Sequence, residues 1–447
     1  MTFRAYADDT SIIGHFASDL LLLLNNILPI YQSTAGGQIN LLKSSLYPLS
    51  PLTFPSIPNS PPTSSSLSIL GFNLPINNSN SESLWSSLQL KLLNRSHSLQ
   101  SRNLSIKGRV LILNSFLLSK LWYYVPICPP PPHSIKSIQT IINNFIWNSS
   151  KTHPAFQTSI LPPSAGGISL PNFKLECKIR SAKLFSQSFS PNPPFWAKQL
   201  NQFTIHKFSQ SIPSCVYNHR STHIPIESLH SFLNASSLIE NLAPHTIPSL
   251  PTLPQLRSIL LIPPSPPLIP YSPSSHISHL SWTEIHHSHY PRKTQDLLWK
   301  IAHQALPIGI KISKISPHSG FCPWCPAIPN SLSHMFHSCP FTSSLWSYAL
   351  SFTHLITPHS SPSTNILSNS HNKIKHLSRL IISSVIWTVW TSYCSTSFSS
   401  SYSPPSSSNQ SLHSLISILL SYRSITPQLP WPSISAMTSL IPSPSSL

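Results

Sequence analysis

Proline constrains this chain more than any other residue. It occupies 48 of 447 positions, about one in nine, and each one fixes φ and removes a backbone donor. Regular structure is therefore expected only where proline thins and an apolar period returns. Residues 48–66 read as a Pro/Ser loop, and residues 200–278 as a linker with short helices, because neither sustains a period. Gly is rare, at 9 residues, while Ser, Leu, Ile and His are abundant. The abundant types have largely pyrimidine-rich codons, so a nucleotide-skewed gene accounts for the bias. Selection for Pro-rich loops is the alternative.

Charge narrows the partners. Lys and Arg total 27 against 9 Asp and Glu, a formal charge of +18 with 23 His in reserve. That excess favours a polyanion, nucleic acid first and an anionic membrane surface second, and argues against strongly cationic substrates. So few carboxylates also leave little material for Asp/Glu chemistry, so any pair of them is informative. Seven Cys stand at 128, 177, 215, 322, 325, 339 and 394, with three inside eighteen residues. An odd count with one cluster suits an intracellular protein with a metal site better than a secreted disulfide scaffold. Arg4, Asp8 and Asp9 follow Met1 where a signal sequence would turn apolar, and the runs Leu20–Leu24 and Leu380–Trp390 fall short of the ~20 residues a bilayer needs. The expectation is a nuclear or cytoplasmic chain that is neither secreted nor membrane-bound.

Within the periodic windows, Arg4–Tyr6 and Ser11–Ile13 flank an Asp-Asp pair as a hairpin would, and His15–Tyr31 carries leucines at helical spacing up to Gly36-Gly37. Leu67–Leu74 reads as one short strand and Ser83–Asn94 as a helix. Two amphipathic helices are expected over 104–124 and 134–147, divided by Pro129–Pro132. Lys373–Tyr393 suits a further helix, and the Ser/Pro tail after Cys394 reads as low complexity and disordered.

Two constellations carry chemistry. Asp8 and Asp9 are adjacent in a chain with four Asp. Neighbouring carboxylates at a hairpin tip repel, and a hard divalent cation such as Mg²⁺ relieves that repulsion, as two-metal phosphoryl transfer requires. A solvated turn would use the same pair. The second constellation is Cys322, Cys325, His334 and Cys339, with two, eight and four residues between successive members. Two Cys at that first spacing form a knuckle presenting both sulfurs to one ion, and a His/Cys pair closes a Zn²⁺ tetrahedron. His337 lies within reach, but one intervening residue before Cys339 is a cramped closure, so His334 is preferred. His286, His287 and His289 have no spaced ligand partners and read as surface residues.

Tyr6-Ala7-Asp8-Asp9 between apolar strands resembles the catalytic hairpin of reverse transcriptases, and the downstream pieces resemble the non-LTR (LINE-type) retrotransposon branch. Ser33–Ser44 is similar to that family's segment after the hairpin, and Leu70-Gly71-Phe72 to its primer-grip strand. Leu104–Arg109 with Phe145-Ile146-Trp147 is similar to its thumb, and Gly166–Pro171 to the element after the thumb. Cys322–Cys339, framed by Leu297–Lys300, Ala305–Pro307 and Leu345-Trp346, resembles the zinc-binding segment downstream of the polymerase. The resemblance spans roughly residues 4–185 and 282–346.

It implies Asp8 and Asp9 as catalytic Mg²⁺ ligands and Lys43 as a cation near the incoming triphosphate. It also implies Tyr6, Gly71, Lys107 and Arg109 as contacts to RNA template and DNA primer. Lys43 would equally suit a plain surface position, and Lys107 and Arg109 a solvated helix face. In the family a third catalytic Asp lies on an upstream palm strand, and Met1 stands only five residues before Tyr6. That strand is expected to be missing, with Mg²⁺ relevant only to a complete palm.

The implied fold is α+β. A partial palm over 1–75 and a helical thumb and post-thumb segment over 76–190 precede a linker over 191–280. A zinc module over 281–350, anchored by Trp299 and Trp346, precedes a helical segment over 351–395 and a tail over 396–447. The implied function is the C-terminal fragment of an RNA-directed DNA polymerase, inactive by itself. A non-catalytic zinc-stabilised nucleic-acid binder and the product of a decayed element are the alternatives.

Overall fold

The computed structural model describes residues 2–6, 9–14, 16–38, 40–47, 60–64, 66–69, 72–75, 81–126, 128–148, 152–188, 198, 282–313, 320–354, 372–398, 416–418, 420–421 and 423. The expected linker lies almost wholly outside them, and so does most of the tail. The described residues are mostly helical, with strand confined to two hairpins and two isolated bridges. The chain divides into two compact units. One holds residues 1–96, 118–141 and 173–260, and the other 97–117, 142–172 and 261–447.

The first unit begins with the expected hairpin. β1 (Thr2–Tyr6) pairs antiparallel with β2 (Asp9–Ile13), Tyr6 opposite Asp9. α1 (Ala17–Leu22) comes next, with the Asp19 carboxylate accepting the Phe16 N–H at 3.3 Å. A π-helical stretch, Leu23–Ile27, leads into α2 (Leu28–Ala35). Pro29 lacks an N–H and crowds the preceding turn, and the widened stretch just before it accommodates both defects. Gly36 at φ 64° ends α2, as the sequence suggests.

The expected single strand over 67–74 is two. β3 (Ser66–Ile69) pairs antiparallel with β4 (Phe72–Pro75), Ile69 opposite Phe72. An apolar run of this length satisfies a hairpin as well as a strand, since both alternate with period two.

α3 (Ser81–Gln100) is longer than its apolar stripe required, and it buries Trp85, Leu88 and Leu92 at helical spacing. The Trp85 indole donates to the Cys128 carbonyl at 3.1 Å. The helix expected over 104–124 is interrupted: α4 (Ile106–Ile112) passes through a π-helical stretch, Leu113–Leu117, into α5 (Ser119–Tyr124). α6 (Pro132–Trp147) starts on the last of four prolines, where a missing N–H costs nothing. A four-residue helix α7 (Phe156–Ser159) precedes α8 (Phe173–Ser188). In this unit Phe173 stacks on Trp122 at 5.2 Å, Arg180 lies over the same indole at 4.4 Å, and Gln139 accepts the Phe173 N–H at 2.8 Å.

The second unit is built on aromatic–backbone bonds. α9 (Trp282–Ile285), α10 (Arg292–Ala302) and α11 (Ile310–Ser313) are followed by α12 (Pro340–His354) and the long α13 (Asn372–Phe398). Leu297, Leu298, Trp299 and Ile301 of α10 are all buried. The Gly166 carbonyl meets both the Trp299 indole N–H at 2.8 Å and the His303 ring at 2.7 Å. Trp282 stacks on His303 at 4.8 Å. A Cβ on Gly166 would lie 2.7 Å from the Trp282 ring, and one on Gly167 would overlap the Leu161 carbonyl. That crowding explains the glycine pair in the Gly166–Pro171 segment.

Asp296 of α10 accepts the Ile106 N–H at 2.7 Å and so caps α4, while the Arg109 guanidinium donates to the Phe145 carbonyl at 2.7 Å. Burial pushes the Asp296 carboxyl up to about 6, against the pull of the backbone donors, Lys300 and Arg109. Glu284 and Arg379 form a two-pronged ion pair at 2.6 and 2.9 Å. Burial alone would raise the Glu284 carboxyl, but the hydrogen-bonded guanidinium outweighs it and holds the group low. The histidines read as surface residues are part-buried instead. His287 and His289 pair ring to ring at 4.5 Å, and burial lowers His286 to about 4. Their flanking helix α9 is too short to have declared a period.

Candidate metal centre

The four residues singled out by spacing converge. The ligand atoms of Cys322, Cys325, His334 and Cys339 all lie within 4.8 Å of one another. Local structure accounts for each placement. Phe321 and Pro329 form an antiparallel bridge, and inside it the Cys322 N–H bonds the Ile328 carbonyl at 2.9 Å. The tight turn at Cys322–Cys325, closed by the Cys325 N–H on the Cys322 carbonyl, brings the two sulfurs to one side. His334 opens a π-helical stretch, His334–Ser338, and its N–H donates to the Ser331 hydroxyl at 3.0 Å. The wider turn closes with the Cys339 N–H on the His334 carbonyl at 2.7 Å, returning Cys339 to the cluster. Cys339 then stands immediately before α12, and the Thr342 and Phe341 N–H groups point at its sulfur.

The separations fit zinc. Cys339 Sγ lies 3.9 Å from Cys322 Sγ and 3.7 Å from Cys325 Sγ. A tetrahedron with Zn–S bonds of ~2.3 Å has edges of about 3.8 Å. The His334 Nε2 atom is buried with no hydrogen-bond partner, an otherwise costly state that a metal bond would relieve. Thiol electrostatics point the same way. The Cys339 hydrogen bond and the Trp324 and Cys325 N–H groups hold Cys322 below the usual thiol range, whereas the Cys322 partner and burial raise Cys339. With three thiolates and one imidazole, all four positions are filled by protein, so the arrangement is structural and offers no place to a substrate. His337 lies on the same stretch but outside the cluster.

Aromatic contacts brace the module from within. The Trp346 indole donates to the Phe336 carbonyl at 2.9 Å, and Trp324 stacks on Phe341 at 4.1 Å. Trp346 therefore anchors the ligand-bearing π-helical stretch directly. Trp299, expected beside it, instead holds Gly166. Sequence reasoning missed Gly309 and Gly320, at φ 54° and 74°, whose backbones meet: a Cβ on Gly320 would lie 3.3 Å from the Gly309 carbonyl. In a chain with 9 glycines, two of them just ahead of a cysteine knuckle were an available signal.

The remaining candidates are scattered through the chain. Asp8 and Gly71 lie outside the described residues. Asp9 opens β2 opposite Tyr6, the last residue of β1. Lys43 is exposed in the turn after α2, its N–H on the Asn40 carbonyl at 3.1 Å. Lys107 is exposed on the first turn of α4, and Arg109, two residues on, is buried. Among the described residues no helix is long and apolar enough to cross a membrane. No curated protein matches this chain. Residues 272–346, about a sixth of the sequence and including all four ligands, match the family described as zinc-binding in reverse transcriptase.

Proposed function

We propose that these residues are the C-terminal part of a LINE-type retrotransposon RNA-directed DNA polymerase, in which Cys322, Cys325, His334 and Cys339 hold one structural Zn²⁺. The observation that carries the reading is the coincidence of the four-ligand cluster with the matched zinc-binding segment. In this reading Asp8 and Asp9 hold Mg²⁺ at the tip of the β1–β2 hairpin, and Lys43 serves the triphosphate, for which its exposure is suitable. Tyr6, Gly71 and Lys107 contact template and primer, whereas Arg109, buried on the Phe145 carbonyl, holds α4 in place and does not itself reach a phosphate.

Polymerisation needs a third carboxylate. Asp19 and Asp296 bond backbone N–H groups at helix starts, and Glu284 is engaged by Arg379. The 447 residues alone should therefore not extend an oligo(dT) primer on poly(rA) with Mg²⁺. They should bind nucleic acid with an affinity that falls steeply with salt. Extension that is lost on Asp8→Ala would overturn the inactivity.

A non-catalytic, zinc-stabilised nucleic-acid binder is the second reading. It is favoured by a feature of the charge distribution: no Asp or Glu occurs after Asp296, over the last 151 residues. Both readings share nucleic acid as partner.

A further inference from the structure

The three sulfurs of the metal quartet are not equivalent. Cys322 and Cys339 are 1% and 0% exposed, whereas Cys325 is half-buried. Their backbone partners differ as well. The Trp324 and Cys325 N–H groups point at the Cys322 sulfur, and those of Thr342 and Phe341 at the Cys339 sulfur. Among the described residues no backbone N–H acts on the Cys325 sulfur. The sequence accounts for that gap. Pro326 follows Cys325 and has no N–H, and the Ile328 N–H is engaged by the Cys325 carbonyl at 2.9 Å. Donors that stabilise a thiolate also blunt its attack, so the sulfur without them is the strongest nucleophile of the three. It is also the one that a reagent in solution meets first.

We propose that Cys325 is an oxidation site for hydroperoxides, with Cys339 as its resolving partner, so that the module gives up its metal under oxidising conditions. The inference rests on the structural-zinc reading above. The Cys325 thiolate attacks one oxygen of the hydroperoxide, the O–O bond breaks, and hydroxide or alkoxide leaves. Sulfur is oxidised by two electrons to the sulfenic acid, and the peroxide is reduced by the same two. Cys339, in contact with Cys325 at 3.7 Å, then attacks that sulfur. The S–S bond forms, the S–O bond breaks, and a hydroxide leaves. Two thiolates and one hydrogen peroxide thus give one disulfide and two hydroxides. Bringing the sulfurs to a bond of ~2.05 Å takes a movement of about 1.7 Å. Only Cys322 and His334 then remain as ligands, too few to fill a tetrahedral structural site. Loss of the ion leaves the His334–Ser338 stretch without its cross-link, and the packing of Trp346 on the Phe336 carbonyl has to hold it instead.

The test uses the full zinc-loaded chain. Limiting N-ethylmaleimide, followed by peptide mass spectrometry, should label Cys325 ahead of Cys322 and Cys339 by about ten-fold or more, the effect of one hydrogen bond to a charged group. Hydrogen peroxide should release one zinc per disulfide formed, followed with a chromogenic chelator, and peptide mapping should find Cys325 joined to Cys339. Dithiothreitol with added Zn²⁺ should restore the metal. Cys325→His keeps a ligand at the position and removes the nucleophile, so peroxide should release its zinc about ten-fold more slowly. Cys322→His, which retains both reacting sulfurs, should stay near the wild-type rate. Should Cys325→His fail to load zinc, the labelling order and the disulfide map of the wild type decide in its place. Labelling that begins at Cys322 or Cys339, or a disulfide joining Cys322 to either neighbour, would overturn the assignment. Zinc kept through a large excess of peroxide would overturn it too, yet leave the metal centre standing. A wild-type chain that carries no zinc removes the metal centre, and this inference with it.

Discussion

The segment from β1 through α2 and the zinc module differ in what holds them together. In residues 10–47 Leu23 is the one buried side chain among the described residues. Ile12 and Ile13 are both exposed, although neighbours on a strand point to opposite faces, so β2 is uncovered on both sides. Phe16, Leu22, Ile30 and Tyr31 continue that exposure along the helix. Residues 282–354 bury Trp299, Leu306, Met335, Phe336, Leu345 and Trp346, and add a four-ligand cluster. Burial and a ligand cluster thus distinguish the zinc module, which is held further by Ile106, Gly166 and Arg379 from outside it.

The largest effect should come from metal removal. Structural Zn²⁺ contributes folding energy outright, on the order of 10 kcal/mol in small modules. A chelator should abolish amide protection over residues 320–346 while leaving exchange in residues 17–35 unchanged. Equal loss in both regions would erase the contrast between them. His334→Ala should lose zinc by mass spectrometry and His337→Ala keep it. Because thiolate and imidazole ligands must shed protons, zinc affinity should fall with acid.

Glycine substitutions sharpen the same contrast. Gly309→Ala forces an alanine to φ 54° and drives its Cβ into the Asn330 carbonyl, and Gly167→Ala collides with Leu161. Each should cost about 3 kcal/mol or more by urea unfolding. Gly36→Ala has a similar φ but no atom within 4 Å of the new Cβ, so its cost should stay near ~1 kcal/mol.

Asp296 predicts an effect of intermediate size with a defined sign. Its folded pKa of about 6 lies above the ordinary 3.8, so its contribution to stability is full below pH 3.8 and lost as pH rises through 6. The change amounts to at most about 3 kcal/mol. Asp296→Asn, measured by thermal melts from about pH 4 to 7, should remove that slope. A slope unchanged in the variant would mean that another group titrates. Smallest of all, Leu22→Ser and Ile30→Ser on the uncovered helix should move stability by no more than about 0.5 kcal/mol.

What was legible in the sequence was what is encoded over short spans. The zinc quartet closes within eighteen residues, and Pro132 and Gly36 mark helix ends within one or two. The hairpin at Tyr6–Asp9 was evident from alternation on either side of an acidic pair. Interactions between distant stretches left no trace. Asp296 caps a helix 190 positions away, and Trp299 bonds Gly166 across 133. Neither pairing has a periodic or compositional signature. Arg109 shows the same gap, because an arginine read for phosphate and one bonding a carbonyl inside a core look identical in sequence. The division of Leu67–Leu74 into two strands was lost for a different reason: period two is common to both outcomes.

The serine-rich helices show how such a skewed composition can coexist with an ordered interior. Within a helix a hydroxyl can reach back to a carbonyl three or four residues earlier, as Ser96 does to Leu93, Ser115 to Leu111 and Ser384 to Leu380. A serine in place of alanine on such a helix therefore meets an acceptor already in place. Ser134 and Ser383, buried with no partner, lack that compensation. Replacing those two serines with alanine should therefore make the chain sturdier, because each removes a buried hydroxyl that has no acceptor.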